Sequence, residues 1–251
     1  MTQSQDEGVA PSKSWAWLRR LLPGRLQPAA RGLRKRIQRL SLNLDEPFRT
    51  VFPFTQAHPV RQQNIVRLSR LIEQNNVPGA VVECGVLDGG MAALMAWGTR
   101  ASSQDRPIHL FDAWRGLPPP TSEDGSSGQK WEGEVVGSPK RVRSIMSKMG
   151  IEPARLHFHV GWFHETFPSA RIDKIALLHI DPDFYEPVKL CLERWYPVLS
   201  PGGYIQIDDY EAFSGCRKAV DEFLAAHPDI RLETSGDTAH AFYFVKPVST
   251  A

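Results

Sequence analysis

The chain is poor in cysteine. Cys84, Cys191 and Cys216 are its only three, and none forms a C-x-x-C pair. So sparse and odd a set excludes a disulfide framework and points to a reducing, cytoplasmic compartment. Cys84 at a strand end and Cys191 within a helix read as small core fillers. No apolar run is long enough to span a membrane, and no secretory h-region follows the N-terminus. Internal repeats are lacking. The spaced G-x-G-x-x-G of dinucleotide binders is missing too, which disfavours an NAD-dependent oxidoreductase.

Acids are absent from one long stretch. Between Lys13 and Arg39 there are nine Lys or Arg residues and no Asp or Glu. The formal net charge of +2 therefore hides a net acidic remainder. The stretch is partly amphipathic, with Trp15, Trp17, Leu18, Leu21 and Leu22 before Pro23-Gly24, then Leu33, Ile37 and Leu40. The reading favoured for it is a flexible, solvated basic arm over residues 1–44. Weak contact of residues 13–39 with an anionic membrane surface is the sharper alternative. An organelle transit segment is weakened by Asp6 and Glu7.

Beyond Asp45 the pattern is β-α alternation. Arg61–Gln74 has helical apolar spacing at Ile65, Val66, Leu68, Leu71 and Ile72. Short buried strands are expected at Ala80–Cys84, Ile108–Phe111, Leu156–Val160, Ile175–Ile180 and Tyr204–Ile207. Helices are expected at Met91–Thr99, Arg141–Met149, Glu186–Leu199 and Gly215–Ala226. Ile230–Thr234 and His240–Val245 flank Ser-Gly-Asp and read as a terminal hairpin. The sum is an α/β fold, a doubly wound, mostly parallel sheet with a late antiparallel strand. Arg115–Pro139 is rich in Pro, Gly and Ser and lacks periodicity; a loop of that length is commonly a lid.

Chemistry concentrates at strand ends. His179-Ile180-Asp181-Pro182-Asp183 and Gly202-Gly203-Tyr204-Ile205-Gln206-Ile207-Asp208-Asp209 are apolar runs that end in carboxylates. Ligands of open parallel sheets bind at that edge. Acids converging there repel, and a hard divalent cation with oxygen ligands is the natural partner. The competing reading is that such acids cap helices or fix turns.

The first strand ends in Val82-Glu83-Cys84-Gly85, with Gly89-Gly90 opening the next helix. Glycine there lets backbone approach a ligand closely. Glu83, just before the first glycine, suits a cationic or amine-bearing ligand such as S-adenosylmethionine better than a pyrophosphate. Asp112 ends the second strand where a ribose-binding acid is expected; its alternative role is to cap the following turn. Gly161-Trp162-Phe163 follows the third strand, and Trp162 could flank an adenine ring.

Four segments together resemble the macrocin O-methyltransferase (TylF-type) family. They are Val82-Glu83-Cys84-Gly85-Val86, Phe111-Asp112-Ala113-Trp114-Arg115-Gly116-Leu117-Pro118, Gly161-Trp162-Phe163, and Leu178-His179-Ile180-Asp181 through Asp208-Asp209-Tyr210. The resemblance spans roughly residues 50–246 and implies a methyltransferase domain over 45–251. It further implies transfer of a methyl group from S-adenosylmethionine to a sugar hydroxyl, dependent on Mg²⁺. By the same resemblance Asp181, Asp208 and Asp209 are the metal ligands, Asp183 the general base, and Glu83, Gly85 and Asp112 cofactor contacts, with Gly161 and Trp162 beside them. The family's Tyr-Thr-Met element reads Phe54-Thr55-Gln56 here, so only the threonine matches.

The expected acceptor is a small molecule or glycan with neighbouring hydroxyls. A nucleic-acid partner is not expected, and a homo-oligomer is kept open. A catechol-type acceptor would use the same metal logic, and a catalytically silent methyltransferase fold serving as a binding module is the reading from another class. His179 is expected as a hydrogen-bonded core residue, and no histidine is assigned to catalysis.

Overall fold

The computed structural model describes residues 44–101, 105–126, 128–237 and 239–248. The basic stretch 13–39 lies outside them. Seven strands form one sheet: β1 (Ala80–Cys84), β2 (Ile108–Asp112), β3 (Leu156–Val160), β4 (Ile175–Ile180), β5 (Leu199–Ile207), β6 (Glu233–Ser235) and β7 (Ala241–Val245). Their order is β3-β2-β1-β4-β5-β7-β6. The first five are parallel, while β7 and β6 run antiparallel. This is the expected doubly wound sheet with its late reversal.

Helices cover both faces. α1 (Phe48–Val51), α2 (Pro59–Gln74), α3 (Gly90–Gly98) and α4 (Pro139–Lys148) lie on one side. Ile65, Leu68 and Ile72 of α2 and Met91–Ala96 of α3 pack there with Val81, Leu110 and Leu177 of the sheet. On the other side are α5 (Phe163–Thr166), α6 (Tyr185–Trp195) and α7 (Ser214–Ala226). Val82, Leu178, Ile180, Ile205 and Phe244 meet Val188, Trp195 and Val220 there. Strands buried on both faces must be continuously apolar, and β4 is buried at all six positions.

Three expectations shift. The helix expected to reach Leu199 ends at Trp195, and β5 begins at Leu199 rather than Tyr204. Leu199 pairs with Ile175 across a register irregularity, so the strand runs through Pro201-Gly202-Gly203. A side chain on Gly203 would lie 3.0 Å from the Ala176 carbonyl, so glycine lets the strand pass there. The first arm of the hairpin is Glu233–Ser235, later than Ile230–Thr234, because Ile230 is buried in the core before the strand starts.

Segment 115–139 contains two 3₁₀ turns, Ser122–Asp124 and Gln129–Trp131. Buried Asp124 anchors the first. It accepts from the Thr121 amide and hydroxyl and, at 2.7 Å, from the Tyr185 amide at the start of α6. Lys218 of α7 pairs with Glu123. The expected lid is thus a wall, fastened to the helices that follow β4 and β5. Cys84, Cys191 and Cys216 are all free and buried. No described helix is long and apolar enough to cross a membrane.

Candidate active site

Strand order reverses between β1 and β4, and a cavity of about 900 Å³ opens at the C-terminal ends of these strands. It is lined by Glu83, Gly85, Asp112, Gly161, Trp162, Asp181, Asp183, Asp208 and Asp209, which brings every residue singled out from the sequence to one place.

The turn after β1 is tightly wound. Gly85 has φ +88°, and a Cβ there would lie 2.2 Å from the Asp181 carbonyl oxygen. Only glycine permits that approach. The Asp181 amide in turn donates to the Cys84 carbonyl at 2.8 Å. Leu87 follows with φ +52°, an unusual conformation for a branched side chain. Asp112 holds this turn in place. Its Oδ2 accepts from the Val86 and Leu87 amides at 2.8 and 2.9 Å, and its Oδ1 from the Trp114 amide at 2.6 Å. The turn-fixing role is therefore occupied, although the side chain also borders the cavity. Phe54-Thr55-Gln56 packs over the start of α3 and lines the same cavity; a Cβ on Gly90 would lie 2.6 Å from Thr55 Cβ. Trp162 precedes α5, its amide donating to Glu165 at 2.9 Å.

Glu83 is 1% exposed. Its Oε1 lies 3.0 Å from His179 Nδ1, and its Oε2 has no protein partner. A buried carboxylate oxygen left unpaired is costly, so a donor from a ligand fits there. Burial pushes the Glu83 carboxyl up despite the bond to His179.

The acid end is built from β4 and β5. Asp183 sits in a three-residue turn, with φ +61° and the Phe184 amide donating to the Pro182 carbonyl at 2.7 Å. Turns of that hand are strained and gather at functional sites. Asp209 shares hydrogen bonds with both Asp181 and Asp183. Burial, then the neighbouring acids, raise Asp181 and Asp183 well above the ordinary carboxylate range. Asp208 is 3% exposed. Burial pushes it up, but His179 and Arg61 outweigh that and hold it below the usual range. Arg61 Nη1 of α2 lies 2.9 Å from Asp208 and 3.6 Å from Asp209.

His179 is fully buried, its Nε2 3.5 Å from Asp208 Oδ1. Burial lowers its pKa, but bonds to Asp208 and Glu83 carry it up to about 9. Each ring nitrogen thus faces one carboxylate, Nδ1 that of Glu83 and Nε2 that of Asp208. His179 is the hydrogen-bonded core residue expected. It also belongs, with Asp181 and Asp208, to the only group of three donors within 4.8 Å among the described residues. With both nitrogens engaged, the open donors are carboxylate oxygens. Four crowded acids with oxygen donors, three of them with raised carboxyls, match a hard divalent cation.

Arg61 was not legible as a site residue. It lies 147 positions from Asp208 on a helix with an ordinary amphipathic pattern. Asp124 and Trp131 of the wall, also cavity-lining, lacked any local signal.

Comparison with known proteins agrees with this geometry. The chain is 36% identical over 172 residues to demethyldecarbamoylnovobiocin O-methyltransferase of Streptomyces niveus, covering 66% of this chain and 65% of that protein. It is 30% identical over 169 residues to 8-demethyl-8-(2,3-dimethoxy-alpha-L-rhamnosyl)-tetracenomycin-C 4'-O-methyltransferase of Streptomyces olivaceus, covering 65% and 64%. The matches thus span slightly less than two thirds of these relatives. The solved structure of the O-methyltransferase NovP superposes with a TM-score of 0.70 at 31% identity, over 78% of this chain and 83% of that one. The sequence model described as Macrocin-O-methyltransferase (TylF) matches residues 34–235, starting inside the basic stretch. By this match the chain belongs to the macrocin-O-methyltransferase (TylF) family.

Proposed function

We propose that the chain is an O-methyltransferase that moves a methyl group from S-adenosylmethionine to a hydroxyl of a sugar or related polyol, in a natural product or glycoconjugate. The observation that carries this is the shared cavity. At one end is Glu83 with an unpaired buried oxygen, and at the other four acids on adjacent strand ends. The rhamnosyl group in the name of the Streptomyces olivaceus relative supports a sugar acceptor.

Glu83 Oε2 would accept from the cofactor's ammonium, and the bare backbone at Gly85 leaves room for the cofactor to lie close. Asp112 keeps the turn in shape, with Gly161 and Trp162 lining the adenosine side. Asp181, Asp208 and Asp209 would hold a divalent cation, which would supply Lewis acidity toward the acceptor hydroxyl. Asp183, open to the cavity and bonded to Asp209, takes the acceptor proton as the new O–C bond forms and the S–C bond breaks. Apolar walls at Leu117, Pro118, Trp131 and Phe213 exclude water from the displacement.

In the same reading residues 1–44 are an extension dispensable for cofactor binding. Truncation to Asp45 with retained affinity supports that, and lost affinity removes it. Calorimetry tests the cofactor assignment. S-adenosylhomocysteine should bind, Glu83→Gln should weaken it, and NAD should bind poorly. Equal or tighter binding of NAD contradicts the assignment.

A further inference from the structure

The face of the sheet under α2 carries a line of buried polar groups, and α2 itself buries Gln62, Asn64 and Ser69 beside its apolar residues. Glu83 and His179 are paired in register across β1 and β4. His179 is paired with Gln206 across β4 and β5, and Asp208 follows two residues on, on the same face. Arg61 closes the line above Asp208, while Asn64 of α2 donates to Gln206 at 2.9 Å. The carboxylates at the two ends of the cavity thus never touch each other. They are joined through one imidazole, at 3.0 Å on the Glu83 side and 3.5 Å on the Asp208 side.

We propose that His179 is a positioning residue that couples the two ends of the cavity: one ring holds Glu83 toward the cofactor and Asp208 toward the cation. This rests on the function proposed above and adds a property to it. A buried ring with both nitrogens engaged cannot reorient at one end without disturbing the other. Fixing Glu83 by a ligand on its free Oε2 fixes the ring, and the ring fixes Asp208. The second ligand then meets a carboxylate that is already ordered, so the coupling is positive. By linkage it must also be reciprocal. A core residue that merely fills space would bind the two ends independently.

The test uses the full chain with S-adenosylhomocysteine and Mg²⁺ as probes. Calorimetry gives the affinity for S-adenosylhomocysteine with and without saturating Mg²⁺, and the affinity for Mg²⁺ with and without S-adenosylhomocysteine. Both ratios should be equal and on the order of five- to fifty-fold, within the usual range of coupling between sites. Two variants each keep one arm. His179→Asn retains a donor near the Nδ1 position and His179→Gln one near Nε2. Each should bring the ratio close to one. His179→Asn should keep the metal-free affinity for S-adenosylhomocysteine closer to the parent value than His179→Gln does. Ring ¹⁵N signals of His179 in the parent should respond to either ligand added alone.

A ratio of one in the parent protein overturns the proposal without any variant, so a variant that fails to fold does not rescue it. Full coupling in both single-arm variants overturns it as well. Failure of S-adenosylhomocysteine or Mg²⁺ to bind the parent at all removes the underlying function instead, and is told apart by the absence of any heat.

Discussion

Replacing Gly85 by alanine probes the join between the cofactor turn and the acid end. The alanine would sit at φ +88°, and its Cβ would overlap Asp181 O at 2.2 Å and Asp181 C at 2.6 Å. Both are backbone atoms, so no flexible side chain can yield. The left-handed conformation costs about 1–2 kcal/mol for an L residue. Overpacking against backbone adds about 1–3 kcal/mol. A loss of about 2–5 kcal/mol in a chain of this size lowers Tm by roughly 4–20 °C. Thermal unfolding followed by circular dichroism reads this directly. Gly133→Ala is the control, since Gly133 has φ +69° with nothing within 4 Å of a Cβ. It should cost the backbone part alone, about 1–2 kcal/mol. Gly85→Ala should also weaken Mg²⁺ binding, because relief of the overlap moves Asp181. An unchanged Tm, or a loss no larger than that of Gly133→Ala, would refute the reasoning.

Other perturbations follow from the same contacts. Asp124→Ala strips the partners from the Thr121 and Tyr185 amides and should cost about 2–4 kcal/mol, with faster proteolysis within 115–138; unchanged cleavage would show that the wall is not held there. Arg61→Ala removes the cation beside two carboxylates and should destabilise the metal-free protein by about 3 kcal/mol. Added Mg²⁺ should then raise its Tm by more than it raises the parent's; equal shifts would contradict the pairing. His109 is lowered from 6.5 to about 4 by burial and by His157 and His159. The unfolded chain therefore binds a proton first as pH falls. Its stabilising contribution is intact above pH 6.5 and is lost towards pH 4, by up to about 3 kcal/mol. His109→Phe should flatten that part of the stability–pH curve, and an unaltered slope would reject the assignment.

Strands were legible where burial on both faces made the sequence continuously apolar. β1 and β4, buried along their whole length, lie where their apolar runs predict, and the partly exposed edge strand β3 also lies at its expected bounds. β5 was read short because Pro201-Gly202-Gly203 looks like a turn, and only its pairing with β4 shows it to be strand. α1 and α5, of four residues each, are too short for periodicity to register. The acids were legible for a local reason, since each ends an apolar run in its own segment. What joins them was not. The Glu83–His179 pair depends on the register of β1 against β4, and the Arg61–Asp208 pair on where α2 crosses β5. Asp112 shows the reverse case, because its position named two roles: it caps the following turn through the Trp114 amide and, beyond either reading, ties down the turn after β1 through the Val86 and Leu87 amides.

The central claim is metal-dependent methyl transfer by the acids at the ends of β4 and β5. Its most direct measurement is S-adenosylhomocysteine release from S-adenosylmethionine across a panel of glycosides with neighbouring hydroxyls, with and without a chelator, for the parent and Asp183→Asn. Turnover should appear with at least one glycoside, vanish on chelation and return with Mg²⁺. Asp183→Asn should bind cofactor normally yet turn over slower by roughly a hundredfold or more, as expected for a lost general base. Full activity in excess chelator, or an Asp183→Asn enzyme as fast as the parent, would contradict the account.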